Sequence, residues 1–194
     1  AHVKKMENAE YVADRRQASV KNVRIGGLKM IKPAQLYKEE LEKKMYEQWY
    51  KPETSFYSGL GNSSVKLKED NYDTRQYVSV DKDNNVIGYI AHDVDWIMKT
   101  ANHFGMISFD KGNLTFAIDL YEVITNLFCK EKFNRVEWRC FTDNPAVRGY
   151  KKLIDRIGGR IAGTLHNTCV FPDGSMHDSY IFEILKEDLK LKKG

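Results

Sequence analysis

Residues 106–150 constrain this chain most, because they read as strand, turn, helix, strand and helix start in immediate succession. Met106-Ile107-Ser108-Phe109 is a short apolar strand, and Asp110-Lys111-Gly112-Asn113 is a glycine-containing turn. A helix then runs over 114–132. Leu114, Ile118, Tyr121 and Leu127 or Phe128 make one apolar row along it, and Phe116, Leu120, Val123 and Leu127 another, which predicts burial between layers. Val136-Glu137-Trp138-Arg139-Cys140-Phe141 is a second strand, and Thr142-Asp143-Asn144-Pro145 opens a further helix that Gly158-Gly159 closes. Strands joined through a helix predict parallel neighbours. A helix that starts beyond a strand also turns unpaired N–H groups and a positive dipole end outward, a geometry that can hold a phosphorylated cofactor.

The flanks add antiparallel strands. Leu28-Lys29-Met30-Ile31 alternates as a strand, and Pro33 suits the first turn of a helix over 35–50 with Tyr37, Leu41 and Met45 on its apolar stripe. Residues 51–74, with Pro52, Gly59, Gly61, Asn62, Ser63 and Ser64, read as a long loop of the kind that forms a lid or binds substrate. Residues 76–80 and 86–91 form a hairpin about the 81–85 turn, its second strand extending towards Ile97, with a turn at 99–102. Strands over 160–170 and 179–185 flank Phe171-Pro172-Asp173-Gly174-Ser175. The expected fold class is therefore α/β of the α+β kind: about seven strands in a mixed, mostly antiparallel central sheet, flanked by three helices.

A length of 194 residues suits one domain, expected over 28–188, between a basic arm at 1–27 and a basic tail at 189–194. The net charge of +4 is concentrated at those ends, and solvated ends are the simplest reading. No clustered basic face with stacking aromatics is visible, so a nucleic-acid partner is disfavoured while staying open. No stretch is long and apolar enough for a bilayer, and none near Ala1 reads as a signal peptide. Cys129, Cys140 and Cys169 are odd in number, scattered and set in apolar segments, which predicts buried thiols, no disulfides and a cytoplasmic location.

The C-terminal half resembles a known family. Asn144-Pro145-Ala146-Val147-Arg148, the run Gly158-Gly159-Arg160-Ile161-Ala162-Gly163-Thr164-Leu165, the turn Pro172-Asp173-Gly174-Ser175-Met176-His177-Asp178 and the closing strand from Tyr180 to Asp188 are similar to the end of RimJ/RimL-type N-acetyltransferases of the GNAT superfamily. The resemblance covers roughly residues 100–188; the first third matches only in element order. It implies acetyl-CoA as co-substrate and an amine acceptor, on a small molecule or a protein, with a homodimer open. It also places the pyrophosphate on the helix start formed by Lys111, Gly112, Asn113, Leu114 and Thr115. In that loop only Gly112 keeps the family pattern; Phe109 stands for a polar residue and Leu114 for a small one. Read from the residues alone, Asn113 caps the helix and Gly112 makes the turn. Asn144 matches the family residue beside the pantetheine arm, and also suits a turn before Pro145.

Acetyl transfer needs a neutral amine, a polarised carbonyl, a stabilised oxyanion and a proton for the departing thiolate. The resemblance implies a tyrosine for the last role. Tyr150 is the only tyrosine in that helix, one place earlier than the usual spacing. Asp93, Asp95, Glu137 and Asp178 are carboxylates on or beside strands, with no single general base among them. No metal-ligand spacing is recognisable, and His92-Asp93 and His177-Asp178 do not supply one. Two function classes follow: an acetyl-CoA-dependent N-acetyltransferase, or a GNAT-fold binding or regulatory protein with a degenerate CoA site and a macromolecular partner.

Overall fold

The computed structural model describes residues 30–48, 51–58 and 65–190. The arm at 1–27, the loop centre at 59–64 and the end of the tail lie outside the described residues. The strands are β1 (Ile31–Pro33), β2 (Thr74–Val80), β3 (Val86–Asp95), β4 (Thr100–Ser108), β5 (Arg135–Phe141), β6 (Arg160–Val170) and β7 (Met176–Leu185). They form one sheet in the order β1-β2-β3-β4-β5-β7-β6, antiparallel at every junction except β4–β5. The helices are α1 (Lys38–Gln48), the four-residue α2 (Ser55–Ser58), α3 (Leu114–Cys129) and α4 (Val147–Ile157). The mixed, mostly antiparallel sheet expected from the strand pattern is therefore present.

The period-2 alternation of the strands sorts two cores onto two faces. On one face, Val78, Val80 and Tyr89 meet Leu41 and Met45 of α1 and Ala34. On the other, Ile90, Val136, Trp138, Phe182 and Ile184 meet Leu120, Ile124 and Leu127 of α3 and Ile154 and Ile157 of α4. The Trp138 ring lies flat on Phe182, with centroids 5.2 Å apart. Gly88 of β3 leaves the room that the Phe116 ring of α3 occupies; a Cβ there would lie 2.2 Å from Phe116 Cδ2.

Three expectations need correction. Helix α3 is not buried all round: Leu114 is 76% exposed and Ile118 50%, because only one side of it has a layer to pack against. The thiols are free, but only Cys140 is buried, and Cys129 is exposed. Strand β4 begins at Thr100, so the turn lies at 96–99, where the Asp95 carboxylate accepts from the N–H groups of Ile97 and Met98 at 2.9 Å.

The β4–β5 junction also differs in detail from the expectation. These strands are parallel neighbours, but they pair only at Thr100↔Arg135 and Ala101↔Val136. Against β3, Ala91 faces Gly105 while Asp93 faces Asn102, so β4 carries one extra residue in between. His103, with φ 50, lies in that bulge. A bulge bends its strand and sharpens its twist, and the pairing to β5 ends at Ala101, two residues before His103. The segments 106–109 and 136–141 thus lie in adjacent strands but share no ladder beyond Val136.

No helix among the described residues is long and apolar enough to cross a membrane.

Candidate active site

Past Ala101 and Val136, the facing edges of β4 and β5 have no ladder partner among the described residues. Unpaired strand edges present rows of N–H and C=O groups that an extended, amide-bearing ligand can pair with. Strand β4 runs into the start of α3 and β5 into the start of α4, so both helix starts flank the open end of the cleft.

The α3 start is built by its own turn. Asn113 Oδ1 accepts from Thr115 N at 2.9 Å, the N-cap expected of it. Asn113 Nδ2 donates to Asp110 Oδ2 at 2.8 Å, which ties back a carboxylate that would repel phosphate. Gly112 has φ +89 with nothing within 4 Å of a Cβ position. Its glycine is required by backbone conformation, not by crowding. Leu114 points outward and does not fill the helix end. Lys111 Nζ donates to Glu53 Oε1 at 2.9 Å, an exposed pair that solvent screens and that holds the lysine only weakly. The five residues 111–115 are thus together at one helix start, with the Thr115 N–H committed to the cap.

Tyr150 lies in the first turn of α4, its ring edge-on to Trp138 at 5.8 Å and Phe182 at 5.6 Å. Burial pushes its phenol well above the usual range, reinforced by neighbouring Cys140. It therefore stays protonated, as a proton donor must. Asn144 Oδ1 accepts from Ala146 N at 2.8 Å, and its carbonyl accepts from Val147 N at 2.9 Å. Its side-chain oxygen thus makes the turn into α4.

The four strand carboxylates are committed elsewhere. Asp93 accepts from Thr74 Oγ1 at 2.8 Å and pairs with His103 at 3.1 Å. Asp95 holds the 96–99 turn. Glu137 pairs with Arg135. Asp178 accepts from Asn167 N at 2.9 Å and meets His166 Nδ1 at 2.8 Å. His92 is buried against Phe104, ring centroids 4.7 Å apart, and burial, with Arg75 nearby, lowers its pKa to about 3. Among the described residues no group of His, Cys, Asp and Glu could hold a metal ion.

Sequence reasoning missed the wall across the cleft. Part of the 51–74 loop is helical and lies over it: Tyr57 Oη sits 2.9 Å from where a Gly105 Cβ would be, and Phe56 packs edge-on to Phe171 at 5.4 Å. Phe171 meets Phe141 at 5.2 Å and stacks on His177 at 3.7 Å. His177 in turn pairs with Asp143 at 2.8 Å. These residues come from four separate segments, and no spacing links them. The one legible signal was Asp143, next to the Asn144-Pro145 turn.

No protein-family model matches this chain, and no curated protein matches it. Solved structures do. A probable acetyltransferase superposes with a TM-score of 0.64 at 17% identity, over 81% of this chain and 92% of that one. The spermidine N-acetyltransferase from Vibrio cholerae, in complex with CoA and spermine, gives 0.63 at 15% identity, over 83% and 98%. A dodecameric structure of spermidine N-acetyltransferase from Vibrio cholerae gives 0.53 at 20%, over 60% and 67%. At such identities the likeness speaks for architecture, and with the splayed β4–β5 pair it shows that this chain is built on the GNAT acetyltransferase fold.

Proposed function

We propose that the protein is an acetyl-CoA-dependent N-acetyltransferase that acts on an amine. The observation that carries this reading is the cleft where β4 leaves β5, open between two helix starts, with a protonated Tyr150 in the first turn of α4. Acetyl-CoA, when bound, supplies an activated carbonyl and a thiolate leaving group. The unpaired edge of β4 offers N–H and C=O groups to an extended arm that carries amides. The backbone at Gly112 and Leu114 offers donors to the pyrophosphate, and Lys111 is releasable from its weak pair with Glu53. Tyr150 gives its proton to the departing thiolate. Its raised pKa keeps the phenol protonated at rest, so the proton this role needs is in place.

The acceptor side combines Phe56, Phe141 and Phe171 with the carboxylates of Asp143 and Asp173. Aromatic faces and carboxylates together attract ammonium groups, so the acceptor class is a cationic amine, in line with the spermine held by one of the similar structures. The RimJ/RimL-type motifs, a cytoplasmic location supported by the free thiols, and self-association, as in the dodecameric relative, belong to the same reading. The departures at Phe109 and Leu114 favour a second reading, a binding or regulatory protein without turnover. Calorimetry with acetyl-CoA, followed by thiol release in the presence of polyamines, decides between the two. Micromolar binding with turnover is expected; binding without turnover on any amine supports the second reading, and no binding at millimolar acetyl-CoA overturns the first.

A further inference from the structure

Four side chains beside the cleft form one continuous hydrogen-bonded chain. Asp143 Oδ2 lies 2.8 Å from His177 Nδ1. His177 Nε2 lies 2.7 Å from Ser175 Oγ, and Ser175 Oγ in turn contacts Asp173 Oδ1. The three links need three protons. A serine carries one and a neutral imidazole one, so all three links are satisfied together only when His177 is an imidazolium, donating to Asp143 and to Ser175 while Ser175 donates to Asp173. The stacking of the His177 ring on Phe171 at 3.7 Å favours the same cation. Ser175 is not an activated nucleophile: its own N–H donates to Asp173 Oδ1 at 2.9 Å, so that amide is not free to steady an oxyanion.

The chain lies close to the reacting groups. Asp143 follows the end of β5, near Cys140, whose thiol burial, reinforced by Asp143, pushes up to about 12. Cys140 in turn neighbours Tyr150. Cys140 thus has both Asp143 of the proton chain and the proton donor Tyr150 as neighbours.

We propose that His177, held by Asp143, is the proton acceptor for the attacking amine, reached through Ser175; this rests on the acetyltransferase reading above. As proton acceptor His177 starts neutral, with its Nδ1–H on Asp143 and its Nε2 accepting from Ser175; the chain with all three links made, as the geometry shows it, is the state that follows proton uptake. The substrate ammonium passes one N–H proton to Ser175 Oγ as Ser175 passes its own to His177 Nε2. The amine is left neutral with its lone pair free. The new Ser175 O–H turns to Asp173 Oδ1, and the imidazolium is stabilised by the carboxylates of Asp143 and Asp173. The other charged and titratable groups near His177 are Asp178, whose carboxylate its charge reaches, and His166, paired to Asp178.

Two measurements on the full chain test this. Nitrogen NMR of the histidine rings, with the His177 signal identified by its loss in His177→Gln, follows its protonation directly and needs no turnover. Removing a carboxylate destabilises the imidazolium, so Asp143→Asn and Asp173→Asn should each move the His177 midpoint to lower pH; a midpoint unchanged in both overturns the proton chain. In the second, the kcat/KM profile for acetyl transfer should show an acid limb that coincides with that midpoint. His177→Gln should abolish the limb and lower kcat on the order of 10²-fold, with acetyl-CoA affinity retained and the melting temperature checked for folding. A limb that persists in His177→Gln, or a change in KM alone, overturns this inference and leaves the acetyltransferase reading standing. A wild-type protein that turns over no amine overturns both.

Discussion

Replacing Gly88 by alanine tests how the sheet positions the start of α3. Gly88 lies near the start of β3 between Ser79 of β2 and Ser108 of β4, under the Phe116 ring. A Cβ would meet Phe116 Cδ2 at 2.2 Å, Cε2 at 2.4 Å and the Ile107 carbonyl at 3.1 Å. Carbon atoms pack comfortably only at about 3.5–4.0 Å, so the ring must retreat by more than ~1 Å. Overpacking of this kind costs about 1–3 kcal/mol, while alanine in place of glycine within a strand returns about 0.5–1 kcal/mol. The net expectation is a loss of roughly 1–2 kcal/mol, or about 2–8 °C in melting temperature for a chain of this size. Phe116 follows Thr115, whose N–H is held by the Asn113 cap, so the displaced ring also shifts the helix start and should weaken acetyl-CoA binding about tenfold. Thermal melts and calorimetry on Gly88→Ala, Phe116→Ala and the double variant separate the terms. With the ring removed, Gly88→Ala should be neutral or stabilising. An equal loss in both backgrounds, or a single variant as stable as wild type, would refute the claim that Gly88 seats α3.

Three further outcomes follow from buried or strained groups. Asp119, 2% exposed, reaches Ser79 Oγ, and burial, opposed by that hydrogen bond and reinforced by Glu122, raises its pKa from 3.8 to about 6. A raised folded-state value means that its contribution to stability is full below pH 3.8 and is lost as pH rises through 6. The carboxylate then burdens the fold by about 3 kcal/mol at pH 8, so Asp119→Asn should gain about 1–3 kcal/mol there and flatten the pH dependence in urea unfolding. Equal stability at pH 8, or a gain only at pH 4, would contradict this. Tyr150→Phe should leave acetyl-CoA affinity unchanged and lower kcat on the order of 10²-fold, read in single-turnover assays; an unchanged rate removes Tyr150 as proton donor. Gly112→Ala meets no atoms but must hold φ +89, so it should cost about 1–2 kcal/mol at the turn and weaken acetyl-CoA binding, which titration measures; unchanged stability would show that the turn re-forms freely.

Local chemistry was enough to read most elements of this protein. The alternation in 76–80, 86–91 and 136–141, the four-residue spacing of Leu41 and Met45, the Asn113 cap and the turn at Asn144-Pro145 are all decided within a few residues. Each is therefore visible in the order of side chains. Long-range packing decided the rest. Leu114 and Ile118 read as core because periodicity reports which residues share a helix face, not whether a neighbouring layer exists to cover it. The β4–β5 cleft opens beside one extra residue near His103, which becomes a bulge only when the registers of β3 and β4 are laid side by side. The link from Asp143 to His177, and that from Glu53 to Lys111 58 residues away, join segments whose proximity no local preference encodes. The sequence by itself determined most of the strands and helices and the Asn113 cap, whereas the cleft and the residues that face it come from contacts between distant segments, settled only when the sheet closes.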